Sequence, residues 1–213
     1  MNWLCAGVYA EGPTDDRFLC NLLNRILPPL AAEICKSVPY IDDARRISEP
    51  RQSRGASREE RIAAAIEESW SECNLFVVHS DGEGAPDAVR RERIEPGLAR
   101  ARRARPDLAA AACVPVRETE AWMLADPEAF CRIFETDRTP PLPSNPEAES
   151  DPKKVLETAL CALGARMGRG VEDYYALLGA EVRLDALRRL AAFQQFEEEL
   201  RKAISAIAAP SGA

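Results

Sequence analysis

The chain has little of several things that would fix its chemistry at once. Its 213 residues include one histidine, His79, and no cysteine pair at CxxC spacing, so a zinc centre built from these residues has too few ligands. Aromatic residues make up only 6% of the sequence, and the largest part of the apolar content is aliphatic. No apolar run approaches the ~20 residues that cross a bilayer as a helix. The opening MNWLCAGVYAEG carries neither a basic leader nor a secretory cleavage pattern. The expectation is a cytoplasmic protein with no membrane attachment. Seven cysteines, at positions 5, 20, 35, 73, 113, 131 and 161, are odd in number and mostly sit in apolar runs, which reads as reduced core thiols.

What is present is charge, unevenly spread. The net charge is −7, and residues 106–213 hold 18 acidic against 12 basic residues while residues 1–105 are nearly balanced. Within the first half, residues 86–105 carry seven arginines against three acids, and residues 45–61 carry six against three. Arg90, Arg91, Arg100, Arg102 and Arg103 are therefore candidate phosphate contacts, although a solvated helix face would look the same. Lys153 and Lys154 join them if the segment before them folds back over the sheet edge.

Carboxylates recur where strands should end. In GVYAEGPTDDRFL, residues 7–19, an apolar run closes at Tyr9, Gly12 and Pro13 break it, and Thr14 is placed to cap a helix with Asp15 and Asp16 in its first turn. Glu11 is thereby held at the carboxyl end of the first strand. In NLFVVHSDGEGAPD, residues 74–87, a short apolar strand is followed directly by His79, Asp81 and Glu83. In ACVPVRETEAWMLAD, residues 112–126, another runs into Glu118 and Glu120. Open α/β sheets bind ligands outside the carboxyl ends of their strands. Oxygen ligands gathered there suit Mg²⁺.

The order of elements is βαβα: strands near 3–9, 74–79 and 111–117, a weak strand near 37–41, and helices near 14–27, 57–70, 86–104 and 121–134. Pro28-Pro29 should end the first helix, and residues 42–56 read as a mobile loop. This pattern predicts an α/β domain over residues 1–136, with a parallel sheet covered by helices on both faces. Residues 137–152 contain five prolines among polar residues and read as a linker or loop. Helical patterns over 153–165, 171–179 and 183–208 predict a small helical subdomain, 153–213, with Phe193 and Phe196 in its core.

EGPTDDRFL, the HSDG turn, ETEAWMLAD, the following DPKK, and RLDALRRLAAFQQFEEEL together resemble the Toprim domain. That Rossmann-like fold occurs in topoisomerases, primases and the nucleases associated with overcoming-lysogenization-defect proteins. More narrowly, the set looks like a bacterial Toprim-like family of unknown function, often encoded beside an AAA or ABC-type ATPase. The resemblance implies that Glu11 is the Toprim glutamate, a general acid or base, and that Asp81 is the second aspartate of a DxD pair that binds Mg²⁺. His79 stands where the first aspartate would be. As a softer, neutral ligand it shifts the preference from Mg²⁺ toward Mn²⁺, and Glu83, Glu118 and Glu120 are available to restore the charge.

The expected function is metal-dependent cleavage of phosphodiesters in nucleic acid, with Glu11 and Asp81 as catalytic residues. The resemblance adds an ATPase partner and defence against phage. The alternative is a non-catalytic Toprim-like module that binds a protein or a nucleic acid, and a third is a hydrolase of small phosphoesters.

Overall fold

The computed structural model describes residues 2–165 and 171–209. In chain order its first half comprises β1 (Trp3–Leu4) and β2 (Ala6–Tyr9), helix α1 (Pro13–Ile34), β3 (Tyr40–Ile41) and β4 (Arg45–Arg46), α2 (Arg58–Glu68), β5 (Leu75–His79), α3 (Pro86–Val89), α4 (Glu95–Ala104) and β6 (Ala110–Cys113). A π-helical stretch, Arg90–Ile94, joins α3 to α4. Strands β4, β2, β5 and β6 form one parallel sheet in that order, and β1 pairs in parallel with β3.

Side-chain alternation divides the core into two layers, as period-two geometry requires. Leu4, Ala6, Val8, Leu75, Val77, Ala111 and Cys113 pack on the side covered by α1. Cys5, Tyr9, Phe76, Val78, Ala112 and Val114 pack on the other, against Ile62 and Ile66 of α2 and Leu98 and Ala101 of α4. This is an α/β sheet of Rossmann-like build with helices on both faces.

The second half adds α5 (Glu120–Met123), α6 (Pro127–Ile133), α7 (Pro152–Ala162), α8 (Val171–Glu181), α9 (Leu184–Leu187) and α10 (Ala191–Ala208). These helices share the core of the α1 face: Tyr175, Phe193, Phe196 and Ile204 cluster with Leu19, Leu22 and Val77. Trp122 of α5 meets Phe193 edge-on, with ring centroids 5.2 Å apart, and stacks on Phe196 at 5.7 Å. The aromatic residues at helical spacing are thus core, as expected.

Several local expectations need correction. Helix α1 continues through Pro28-Pro29 to Ile34. Both prolines lie on its exposed side while Ile26, Leu27, Leu30 and Ala31 stay buried; continued burial of that stripe outweighs the ~3 kcal/mol an interior proline costs. The segment 42–56 is not wholly loop, because Arg45 and Arg46 pair with Gly7 and Val8 as the sheet's edge strand. Two residues are too few to leave a periodic signal. The helix expected over 121–134 breaks at Asp126, which caps α6 by accepting from the Glu128 N–H. Nor does Thr14 cap α1. Gly12 precedes the helix, and its N–H donates to Asp15 at 3.2 Å.

The topology locates the site. From β1 and β2 the chain goes first to the β3–β4 edge and then back across to β5, so neighbouring strands β2 and β5 send their following segments in opposite directions. A crevice opens at such a switch point. Glu11 follows β2 and Asp81 follows β5.

Candidate functional site

Three loops and the first turn of α1 meet at this crevice. Glu11 is oriented from two sides: Ser80 Oγ donates to its Oε1 at 2.8 Å, and Arg58 Nη1 lies 3.0 Å from the same oxygen. Its Oε2 has only a long contact, 3.5 Å, with the Asp81 N–H. Arg58 also donates to the backbone carbonyls of His79, at 3.0 Å, and Arg93, at 3.2 Å. One guanidinium from the start of α2 therefore ties the Glu11 carboxylate to the end of β5.

Beside Glu11 lies a trio of buried Asp15 and His79 and half-buried Asp81. Asp15 accepts from Thr119 Oγ1 at 2.6 Å. The His79 ring, with no exposure at all, stands between two carboxylates: Nδ1 is 3.9 Å from Asp15 Oδ2 and Nε2 is 3.4 Å from Asp81 Oδ1. Both distances exceed those of good hydrogen bonds, and both ring nitrogens and Asp81 Oδ1 are buried with no partner among the described residues. Donor atoms of Asp15, His79 and Asp81 all lie within 4.8 Å of one another. Buried polar atoms are nearly always satisfied, so this concentration of open ones marks a place prepared for a ligand. The trio could hold a metal ion.

The third loop supplies Glu118 and Glu120, which take different positions. Glu118 shares the crevice with Glu11, Asp81 and Lys153, and its Oε2 is buried without a partner. Burial first, then the charge of Asp81, raises its pKa. Glu120 is deeper and accepts a 2.8 Å hydrogen bond from Tyr175 of α8; burial pushes its pKa up to about 7. Asp16, next to Asp15, is likewise raised to about 6 by burial although Arg46 lies 3.0 Å away. Burial would lower the His79 pKa, but the neighbouring Asp81 carboxylate and the charges of Asp15 and Glu11 raise it on balance.

Backbone packing keeps the loops together. A Cβ on Gly82 would collide with the carbonyl oxygen of Pro115 and stand 2.7 Å from that of Val116. The N–H groups of Gly82 and Gly84 donate to Arg117 and Val116 at 2.7 and 2.8 Å. Glu83 adopts the left-handed region at φ 50°, a conformation that costs a non-glycine residue of order 1 kcal/mol, and a bidentate pair with Arg93 at 2.7 and 2.9 Å holds it there.

The basic candidates are scattered. Lys153 lines the crevice, whereas Lys154 lines an apolar groove beside Pro141. Arg90 pairs with Glu95 and Glu199, Arg91 with Glu92, Arg100 with Glu59 and Glu60, and Arg102 with Glu95. Arg103 is exposed near the end of α4. Sequence reading missed Asp15, Arg58, Arg117 and Tyr175. Asp15 had a signal, since it lies in the first turn of α1 only four residues after Glu11. Arg117 stands next to Glu118 and lines the crevice with Glu83. Nothing in the sequence joins Arg58 or Tyr175 to the carboxylates.

A family model covers residues 10–201, from before Glu11 to the last turns of α10. The chain belongs to the family described as a domain of unknown function, DUF4276. The DUF4276 span takes in every carboxylate of the crevice, together with Arg58, His79, Lys153 and Tyr175. No curated protein and no solved structure matches the chain. Among the described residues no helix is long and apolar enough to cross a membrane.

Proposed function

We propose that this protein is a metal-dependent enzyme that cleaves phosphodiesters in nucleic acid, built on a Toprim-like plan. The observation that carries the proposal is the cluster of Asp15, His79 and Asp81, in which both His79 ring nitrogens and Asp81 Oδ1 are buried with no partner among the described residues, beside an oriented Glu11 at the switch point of the sheet. Open donor atoms of mixed oxygen and nitrogen type fit a divalent cation and favour Mn²⁺ over Mg²⁺. Asp15, His79 and Asp81 would hold it, with Glu118 within reach of the same crevice, and its contribution would be a polarised phosphoryl oxygen and a more acidic bound water.

The residues of the chain do the rest. Ser80 and Arg58 both engage Glu11 Oε1 and leave Oε2 weakly occupied, the arrangement of a carboxylate that can take and return a proton. Lys153 and Arg117 on the crevice walls supply positive charge for a phosphate among carboxylates. Arg100, Arg102 and Arg103 on α4 extend the contact to a polymer. The resemblance to Toprim-like proteins adds an AAA or ABC-type ATPase as partner and phage defence as setting.

A second reading is supported by His79 itself. An imidazolium lying between Asp15 and Asp81 neutralises them as a cation would, which suits a binding module without catalysis. Supercoiled plasmid, linear duplex and single strands incubated with Mg²⁺, Mn²⁺ or EDTA separate the two. Cutting that requires metal and disappears in Glu11→Ala and Asp81→Ala, with the fold retained, supports the enzyme. No cutting with any metal, and unchanged nucleic-acid binding in both variants, supports the module. If the polymer is the substrate, reversing charge at Arg100, Arg102 and Arg103 flattens the salt dependence of binding.

A further inference from the structure

The amino ends of the two strands that carry Glu11 and Asp81 hold a second reactive group. Cys5, between β1 and β2, and Cys73, two residues before β5, are fully buried with their sulfurs 3.9 Å apart. Both are free thiols. The surrounding structure holds them in that position. Asn74 Oδ1 accepts from the Cys5 N–H at 2.9 Å, Asn74 Nδ2 donates to the Trp3 carbonyl at 2.8 Å, and the N–H groups of Asn74 and Leu75 both donate to the Cys5 carbonyl. Gly7 leaves the room that Cys73 fills: a Cβ there would stand 3.1 Å from the Cys73 sulfur.

The two thiols are not equivalent. The hydrogen bond from Cys73 lowers the Cys5 pKa, and Arg45 lowers it further against the effect of burial; Cys73 is raised by the same contact and by burial. Cys5 Sγ also lies 3.5 Å from the Asp43 carbonyl. That carbonyl belongs to the segment Asp42–Ala44, where the edge strand holds one more residue than its partner: four steps separate Ile41 from Arg45, and three separate Leu4 from Gly7. Bulged edges are points where pairing opens, and Asp43 is exposed. Local opening of this segment would bring a small oxidant to the Cys5 sulfur.

We infer that Cys5 and Cys73 form an oxidation site, a dithiol that a peroxide converts to a disulfide across the amino ends of β2 and β5. The Cys5 thiolate attacks one peroxide oxygen; the S–O bond forms, the O–O bond breaks, and hydroxide leaves to become water. Cys73, giving up its proton, then attacks the Cys5 sulfur; the S–S bond forms and the S–O bond breaks, releasing a second water. The two thiols lose two electrons and two protons, and one hydrogen peroxide becomes two waters. The sulfurs must approach to ~2.05 Å. The product ties together the two strands whose opposite ends carry the crevice, and the inference does not depend on the proposed activity.

The test uses the full chain treated with hydrogen peroxide in EDTA, alkylated in denaturant and digested without reductant. The expected product is a peptide pair joined through Cys5 and Cys73, lighter by two hydrogen atoms than its parts and lost on treatment with dithiothreitol. In Cys73→Ser, dimedone should trap a sulfenic acid on Cys5. Exposed Cys161 reports general oxidation in the same digest. Full alkylation of Cys5 and Cys73 in the wild-type chain while Cys161 is oxidised would overturn the inference, as would Cys5 paired only with cysteines other than Cys73.

Discussion

Two groups of buried carboxylates in this molecule are treated in opposite ways. Asp126, with no exposure, accepts from the Glu128 N–H, from Arg132, and from the Arg183 backbone and guanidinium. Burial alone would raise its pKa, and the hydrogen bonds from Arg183 and Arg132 hold it below the ordinary value. In the crevice, Glu118 and Glu120 are both raised, as is Asp16 next to Asp15, and Asp16, Asp81 and Glu118 each keep a buried oxygen with no partner among the described residues. The first arrangement is what a carboxylate needs in order to join α6 to the turn after α8. The second is costly to maintain without a ligand. Asp126 is fully paired while Asp81 and Glu118 keep open acceptors, and that difference separates the structural site from the candidate functional one.

The sharpest way to test that contrast is to remove Asp126. Asp126→Ala should lower stability in urea by roughly 2–3 kcal/mol, less than the 3–5 kcal/mol of a fully buried pair because both guanidinium groups are about half exposed. Mn²⁺ binding by calorimetry should survive it. Should metal binding vanish while the fold persists, the two groups are one coupled site.

Opposite pKa shifts imply opposite pH responses. Glu120, at about 7 folded against an ordinary 4.5, binds more protons folded than unfolded between those values, so its contribution is lost as pH rises through that window. Asp16 acts in the same direction from 3.8 to about 6. Asp126, depressed, contributes stability above its ordinary 3.8 that is lost as pH falls below it. Urea titrations of the metal-free protein from pH 5 to pH 8 should show stability falling, with roughly 2 kcal/mol of the fall removed by Glu120→Gln. Saturating Mn²⁺ should flatten the fall as well, since a bound cation favours ionised carboxylates; a slope indifferent to both would refute the assignment of the crevice as the pH-sensitive region.

Smaller effects refine the comparison. Tyr175→Phe removes a side-chain donor to Glu120 and should cost about 1 kcal/mol, with the Glu120 titration moving upward in a carboxylate-resolved NMR experiment. Glu118→Gln should change stability by no more than ~0.5 kcal/mol, because its buried oxygen satisfies nothing in the folded chain, yet weaken Mn²⁺ binding measurably. A large loss of stability there would mean that Glu118 is structural.

Much of the crevice was legible in the sequence, for a definite reason. Glu11, Asp81, Glu118 and Glu120 each follow a short apolar run that reads as a buried strand, and a parallel sheet sends all such ends to one edge. What escaped depends on distance along the chain. Arg58 reaches Glu11 across 47 positions and Tyr175 reaches Glu120 across 55, and neither contact has a local pattern. Asp15 was read as an ordinary acid in a first helical turn, where the helix dipole alone would explain it. The two-residue edge strand and the continuation of α1 through Pro28-Pro29 were missed because tertiary packing overrides local preference in both.

The hydrogen bond between Tyr175 and Glu120 also has a consequence for the order in which the molecule is made. Strands β2, β5 and β6 can assemble once about half the chain has left the ribosome, but the wall that holds Glu120 arrives with α8, and the layer over β6 later still with α10. Domains that fold during synthesis do so from the amino end. The carboxylate crevice is therefore among the last features completed, and a chain stalled before residue 171 would display the acidic loops without the helix that closes them.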